Sequence, residues 1–297
     1  MLAFLPPALR ASITLLFFAL NTFVCCLFIY PFAFLRLISP VRSLRSLWKR
    51  AMVRVAETWI SINGGILRLT QKVDWQVTGL EDLHYDRSYL VIANHQSWMD
   101  ILILQNILNR KIPFIRFFIK YELIYFPFLG WAWWALDFPF MKRHSKEYLA
   151  RHPEKKNDDM ESTLKACRHF KGQTVSILNF LEGTRFTNKK HGLTKSSFKN
   201  LLQPKAGGLA FVLNAMGNQF DSILDVTIYY PHGPVSLWEA LKGQMPAVKV
   251  GIRKIPIPLD LLTGNYLEDF SYRTRLQTWV QSLWLDKDQH LNSFKQT

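Results

Sequence analysis

The chain has 297 residues, of which 49% are hydrophobic and 14% aromatic, and its 37 Lys and Arg outweigh 22 Asp and Glu for a formal net charge of +15. That length supports one sizeable core once an N-terminal anchor is set aside. So many Phe and Trp in so basic a chain imply lipid contact and an anionic partner: phospholipid headgroups, a phosphorylated substrate or nucleic acid. Cys25, Cys26 and Cys167 have neither disulfide-framework nor zinc spacing, which excludes a disulfide-stapled secreted fold and a zinc module and fits a reducing compartment.

Residues 11–35, ASITLLFFALNTFVCCLFIYPFAFL, carry no charge, and a helix needs about 20 such residues to cross a bilayer. A cleavable signal has a shorter apolar core, about 7 to 15 residues, followed by a small-x-small site; the flanking LRLISP supplies none, so the run reads as a retained anchor. It is either a spanning helix or, with Pro31 as the bend, a hairpin that dips in and returns to the same face. Arg36, Arg42, Arg45, Lys49, Arg50 and Arg54 all precede the first acidic residue, Glu57, whereas only Arg10 and the terminal amine stand before the run. The bias places the C-terminal side in the cytoplasm, on the inner membrane if the source is bacterial. These six cations read first as topology determinants, each adding roughly 1 kcal/mol of attraction to an anionic leaflet. The expected division is an anchor and basic juxtamembrane segment, 1–64, and a single domain, 65–297.

From about residue 65 short apolar runs alternate with helical stretches. Val73, Trp75 and Val77 alternate as in a strand; Tyr89 to Ala93, Thr174 to Leu181, Ile223 to Tyr230 and Val248 to Ile257 are further strand candidates. Ile101 to Leu108, the spacing of Met160, Leu164 and Cys167 before Gly172, and Gly208 to Met216 predict helices. The order implies an α/β domain. Tyr272, Leu276, Trp279, Val280, Leu283 and Trp284 form one face of an amphipathic helix, which packs on the domain's own core or, given its two tryptophans, on a membrane interface.

Two segments carry chemistry. In Val91-Ile92-Ala93-Asn94-His95-Gln96-Ser97-Trp98-Met99-Asp100 a buried strand runs into a polar turn and then an apolar helix. On one helix His95 and Asp100 would be about 140° apart. With His95 ahead of the helix and Asp100 in its first turn, the carboxylate reaches one imidazole nitrogen, fixes the tautomer and leaves the other nitrogen as a base. The same spacing from Ser97 to Asp100 is that of a capping box, a structural reading of the same residues. The second segment, Phe180-Leu181-Glu182-Gly183-Thr184-Arg185-Phe186, leaves a strand and opens a basic loop with no acidic residue from Gly183 to Gln219. Gly183 would admit a close backbone approach to a ligand, and the Arg185 guanidinium is shaped to grip phosphate oxygens. The plainer reading is a solvated loop with a Glu182–Arg185 salt bridge.

Together these segments resemble the motifs of the glycerophospholipid acyltransferase family typified by lysophosphatidic acid acyltransferases: NHQSWMD its NHxSxxD block and FLEGTRFT its EGTR block. Lys120-Tyr121-Glu122-Leu123 with Pro127 and Gly130 is similar to the K-x-E-L…P…G stretch, and Phe138 to Arg143 to the block ending in a phosphate-binding Arg, although Leu136-Asp137 replaces the Gly that usually opens it. The resemblance covers roughly residues 85 to 230. It implies a single acyltransferase domain with a mixed β-sheet flanked by helices, preceded by an N-terminal membrane helix. It implies that His95, held by Asp100, deprotonates the free hydroxyl of a lysophospholipid, which attacks an acyl thioester directly. It implies that Arg143 and Arg185 bind the acceptor phosphate with Glu182, Gly183 and Thr184, Glu182 orienting Arg185, and that Lys120 contributes to substrate binding. The co-substrate is acyl-CoA or acyl carrier protein. No metal-ligand constellation, other cofactor or nucleic-acid motif is evident. The apolar stretch from Ile124 to Phe140 is core or interfacial helix, or a wall of the acyl-chain channel. Two other functions compete: a basic membrane-tethered nucleic-acid-binding or regulatory protein, and a thioesterase or lipase using the same His and Asp on water.

Overall fold

The computed structural model describes residues 2–141, 148, 151–152 and 158–296. Its centre is a six-stranded sheet in the order β1 (Asp74–Thr78), β8 (Ala247–Ile255), β7 (Ser222–Tyr229), β2 (Tyr89–Ala93), β6 (Ser176–Phe180) and β3 (Ile115–Phe117). Every pairing is parallel except β7 with β8, so the sheet is mixed, as expected. A parallel strand covered on both faces reads as a continuous apolar run, and β2, YLVIA, is buried throughout. Alternate side chains face opposite sides. Leu90 and Ile92 join the core beneath α7 (Ala206–Met216) and α9 (Phe270–Gln296), while Tyr89, Val91 and Ala93 join the core beneath α3 (Met99–Leu108). The apolar face of α9, with Tyr272, Leu276, Val280 and Trp284, packs on the first of these cores and not on a membrane. A small parallel pair, β4 (Ile119–Lys120) and β5 (Phe140–Met141), lies apart from the main sheet.

The N-terminal segment forms two long helices, α1 (Pro7–Ile38) and α2 (Arg42–Thr70). Pro31 lies within α1 and does not end it; the chain reverses instead at residues 39–41. The residues after the anchor are therefore a helix packed back along α1, and the division expected at residue 64 falls inside it. Polar contacts register the hairpin: the Asn21 amide donates to Asn63 Oδ1 at 2.8 Å and to the Trp59 carbonyl at 3.0 Å, and Trp59 Nε1 donates to Thr22 at 3.0 Å.

Both ends of α1, roughly 48 Å apart at 1.5 Å per residue, rest on the rest of the molecule. Near its start Ala11 packs with Leu67 and Leu241, and the Arg10 guanidinium donates to the Lys242 carbonyl. Near its end Arg36 donates to the Ala135 carbonyl at 3.1 Å and pairs with Asp137 at 3.0 Å, beside α4 (Leu129–Ala135). Between these points Leu16, Leu20, Phe28 and Phe34 face outward. Asp137 adopts φ +62°, the left-handed conformation that Gly takes without strain. Its side chain is also used: Lys49 of α2 lies at 2.7 Å and His169 at 3.2 Å. Burial by itself would raise this carboxyl; the His169 bond and the Lys49 and Arg36 charges hold it well below the ordinary range.

Candidate active site

The site lies where β2 and β6 end side by side. Ala93 pairs with Phe180 in the last register of the two strands, so the loops beginning at Asn94 and Leu181 leave the same edge of the sheet. Parallel strands place such loops together at their carboxyl ends. The Asn94 side chain clasps the backbone of β7, accepting from Ile228 N at 2.8 Å and donating to Ile228 O at 2.9 Å. His95 follows, and its ring stacks on Phe180 with centroids 4.0 Å apart and planes 17° apart.

Helix α3 begins at Met99, so His95 precedes it and Asp100 stands in its first turn. His95 Nδ1 and Asp100 Oδ2 are 2.8 Å apart. The same oxygen accepts the backbone N–H groups of Gln96 at 2.6 Å and Ser97 at 2.9 Å. With Trp98 at the N-cap no side chain caps α3, so the capping-box reading does not hold; Asp100 braces the turn ahead of the helix and holds the imidazole. Asp100 is fully buried, and its second oxygen, Oδ1, accepts the hydroxyl of Tyr230 at 2.5 Å.

Glu182 corrects one expectation. Its carboxylate does not orient Arg185: Oε1 accepts the His95 N–H and Oε2 the Leu202 N–H, each at 2.9 Å. It is a tie between the two motif loops, supplemented by the Phe186 N–H donating to the His95 carbonyl at 2.7 Å. Burial pushes the Glu182 carboxyl up to about 7, against the pull of its two backbone donors and of Lys287. Gly183 has φ +68° and closes a turn onto the Phe180 carbonyl, so its conformation is what requires glycine. Thr184 accepts the Lys190 ammonium at 2.6 Å, and the same ammonium reaches the Arg185 carbonyl at 3.1 Å. The Arg185 guanidinium lies over the exposed Trp98 ring at 4.8 Å, and among the described residues it has no hydrogen-bond or ion-pair partner. Stacking on an indole leaves the N–H edge of a guanidinium open.

Lys120 is not gathered with these residues; it pairs with Glu122 at 3.2 Å. It does lie in register with Met141, next to the strand that leads toward Arg143. Arg143 itself falls outside the described residues. Two groups had gone unread. Tyr230 stands one residue beyond a strand edge, where a sequence offers no sign of its partner. Lys287 is fully buried, 2.5 Å from the equally buried Asp225, and donates to the Val226 carbonyl at 2.6 Å; its signal was its place in the stripe Leu283, Trp284, Lys287, Leu291 on the buried face of α9. Arg253 completes this cluster, 2.6 Å from the other Asp225 oxygen.

A His–Asp pair, with Asp100 buried and His95 partly exposed, thus stands at the carboxyl edge of a mixed α/β sheet, tied by Glu182 to the loop that carries Gly183 and Arg185. Residues 74–231 match the pattern of the acyltransferase family, more than half of the chain, and the protein belongs to that family. It is similar to lysocardiolipin acyltransferase 1 of Gallus gallus, 27% identical over 89% of this chain and 67% of that protein. It is also similar to 1-acyl-sn-glycerol-3-phosphate acyltransferase delta of Mus musculus, 24% identical over 72% of this chain and 55% of that protein. The chain thus spans between half and two thirds of these relatives. Its fold is shared with the crystal structure of the 1-acyl-sn-glycerophosphate (LPA) acyltransferase PlsC from Thermotoga maritima, with a TM-score of 0.57 at 18% identity over 97% of this chain and 98% of that one. The chain is accordingly an O-acyltransferase of the lysophosphatidic acid and lysocardiolipin acyltransferase kind.

Proposed function

We propose that the protein transfers a fatty acyl chain from the thioester of acyl-CoA or acyl carrier protein to the free hydroxyl of lysophosphatidic acid, giving phosphatidic acid. The observation that carries the mechanism is the 2.8 Å contact of His95 Nδ1 with Asp100 Oδ2. Because that oxygen also accepts two backbone N–H groups, it is an acceptor toward the ring, which puts the proton on Nδ1 and leaves Nε2 as the base. Nε2 takes the hydroxyl proton as the oxygen attacks the thioester carbonyl carbon. The tetrahedral intermediate then expels the thiolate, which receives that proton from the imidazolium. A positioned base supplies roughly 10² to 10⁴ in rate, and holding hydroxyl and thioester together supplies much of the rest. Arg185, open-edged on Trp98, is assigned the acceptor phosphate together with Arg143, with Gly183 and Thr184 shaping the loop; Lys120, on β4 and apart from that loop, is assigned a separate part in substrate binding.

The same reading assigns membrane attachment to α1. A helix whose two ends both contact the catalytic body lies along one leaflet, its outward Leu and Phe in the acyl region, and does not carry its N-terminus across. The catalytic domain then stays on the cytoplasmic face.

The deciding experiment incubates membranes containing the protein with a panel of lysophospholipids and both donors, read by mass spectrometry. Phosphatidic acid formed only when lysophosphatidic acid is present supports the reading. Free fatty acid released at the same rate without an acceptor would make the enzyme a thioesterase, and a preference for a lysophospholipid with a larger headgroup would replace the acceptor.

A further inference from the structure

The two oxygens of Asp100 are used unequally. Oδ2 accepts His95 Nδ1, Gln96 N and Ser97 N, whereas for Oδ1 the hydrogen bond from the Tyr230 hydroxyl, at 2.5 Å, is the contact that fixes it. The carboxylate is fully buried and Tyr230 is 3% exposed, so no solvent replaces that donor. A carboxylate turns about its Cβ–Cγ bond with two-fold degeneracy. Here three contacts hold the Oδ2 end and the Tyr230 hydroxyl holds the opposite end, so both oxygens are fixed.

We propose that Tyr230 is a positioning residue of the acyl-transfer site: its hydroxyl sets the rotation and charge distribution of the Asp100 carboxylate, which in turn holds the His95 ring. The inference rests on His95 being the base. Three further observations support it. Tyr230 follows β7 directly, and the Asn94 side chain clasps Ile228 two residues earlier by both its N–H and its carbonyl. The residue before the base therefore fixes the height of the residue that steadies the dyad. Tyr230 packs in the same core as Met99 and Ile103 of α3, the helix that carries Asp100. Its ionisation is pushed well above the ordinary phenol range by burial and then by the Asp100 charge, so it remains a donor throughout the working range of the enzyme.

Removing the hydroxyl takes from buried Oδ1 the donor that holds it, and the carboxylate is then free to shift from the position in which Oδ2 meets His95 Nδ1.

The test is Tyr230→Phe in the full-length protein in mixed micelles, with a lysophosphatidic acid and a long-chain acyl-CoA, run beside His95→Ala. The expected result is a kcat lower by roughly ten-fold with KM values for both substrates within about two-fold, the pattern of a group that orients the base and does not bind substrate. An unchanged kcat in Tyr230→Phe while His95→Ala is inactive would overturn the inference and leave the base in place. So would a loss of activity matched by a lower melting temperature, which is the signature of packing alone, or a rise in KM with kcat unchanged. An active His95→Ala protein would instead overturn the reading on which it rests.

Discussion

Oε1 of Glu182 accepts the backbone N–H of His95 at 2.9 Å, across 87 residues of sequence, and its other oxygen accepts Leu202 N–H at the same distance. One carboxylate, 1% exposed, therefore holds the His95 turn against the loop that carries Arg185.

Burial of this carboxyl makes stability depend on pH in a stated direction. The folded carboxyl releases its proton near 7, against an ordinary 4.5, so between those values the folded state binds more protons than the unfolded one. The stability contributed by Glu182 is thus greatest below pH 4.5 and falls by up to about 3 kcal/mol as pH rises through 7. Melting curves between pH 5 and 8 should show the decline, and Glu182→Gln should flatten it. Because glutamine offers one acceptor to two donors, the variant should also lose roughly ten-fold in kcat. A slope identical in both proteins would mean that another group governs it.

Asp100 should give two separable effects. Asp100→Asn keeps an oxygen for the backbone donors but no longer imposes the right tautomer on His95, so kcat should fall by about 10³ or more with a small change in melting temperature. Asp100→Ala also leaves the Gln96 and Ser97 N–H groups without their acceptor, at a cost of roughly 1 to 3 kcal/mol in addition, and should be both inactive and less stable. An active but thermolabile Asp100→Ala enzyme would reduce the residue to a brace of the turn ahead of α3.

Arg185→Lys keeps the charge but loses the flat, two-pronged edge and the stacking on Trp98. The KM for the lysophospholipid should rise, and kcat should fall if the same contact aligns the hydroxyl. The KM for the donor should change much less. The control is Lys189, which is exposed, whereas its neighbour Lys190 braces Thr184 and the Arg185 carbonyl. Lys189→Ala should weaken association modestly, and the effect should fade with salt. Equal defects in the two variants would describe a diffuse positive surface.

For the membrane, cysteines introduced at Leu5 and at Thr297 should react with an impermeant maleimide from the same, cytoplasmic side, and the protein should stay with membranes in high salt because apolar burial holds it. Labelling of the two positions from opposite sides would establish a spanning helix. Release by salt alone would show that α1 is not inserted.

Much of this molecule was legible in the order of its residues. Apolar runs such as Tyr89 to Ala93 and the helical spacing after Asp100 predicted the central strand, α3 and the His95–Asp100 geometry, because alternation and periodicity are local properties of the chain. Local patterns do not say what lies across a loop. The partner of Glu182 was misread as Arg185, three residues away, because only the parallel pairing of β2 with β6 brings His95 N–H to it. The same holds for Tyr230, delivered to Asp100 by β7, and for Asp137, whose left-handed backbone is fastened by Arg36 and Lys49 of the hairpin. The apolar run of residues 11–35 determined by composition alone that this part of the chain avoids water. Whether it crosses a bilayer or lies along one depends on where its two ends rest, and contacts such as Ala11 with Leu241 and Arg36 with Asp137 are made only when the whole chain has folded.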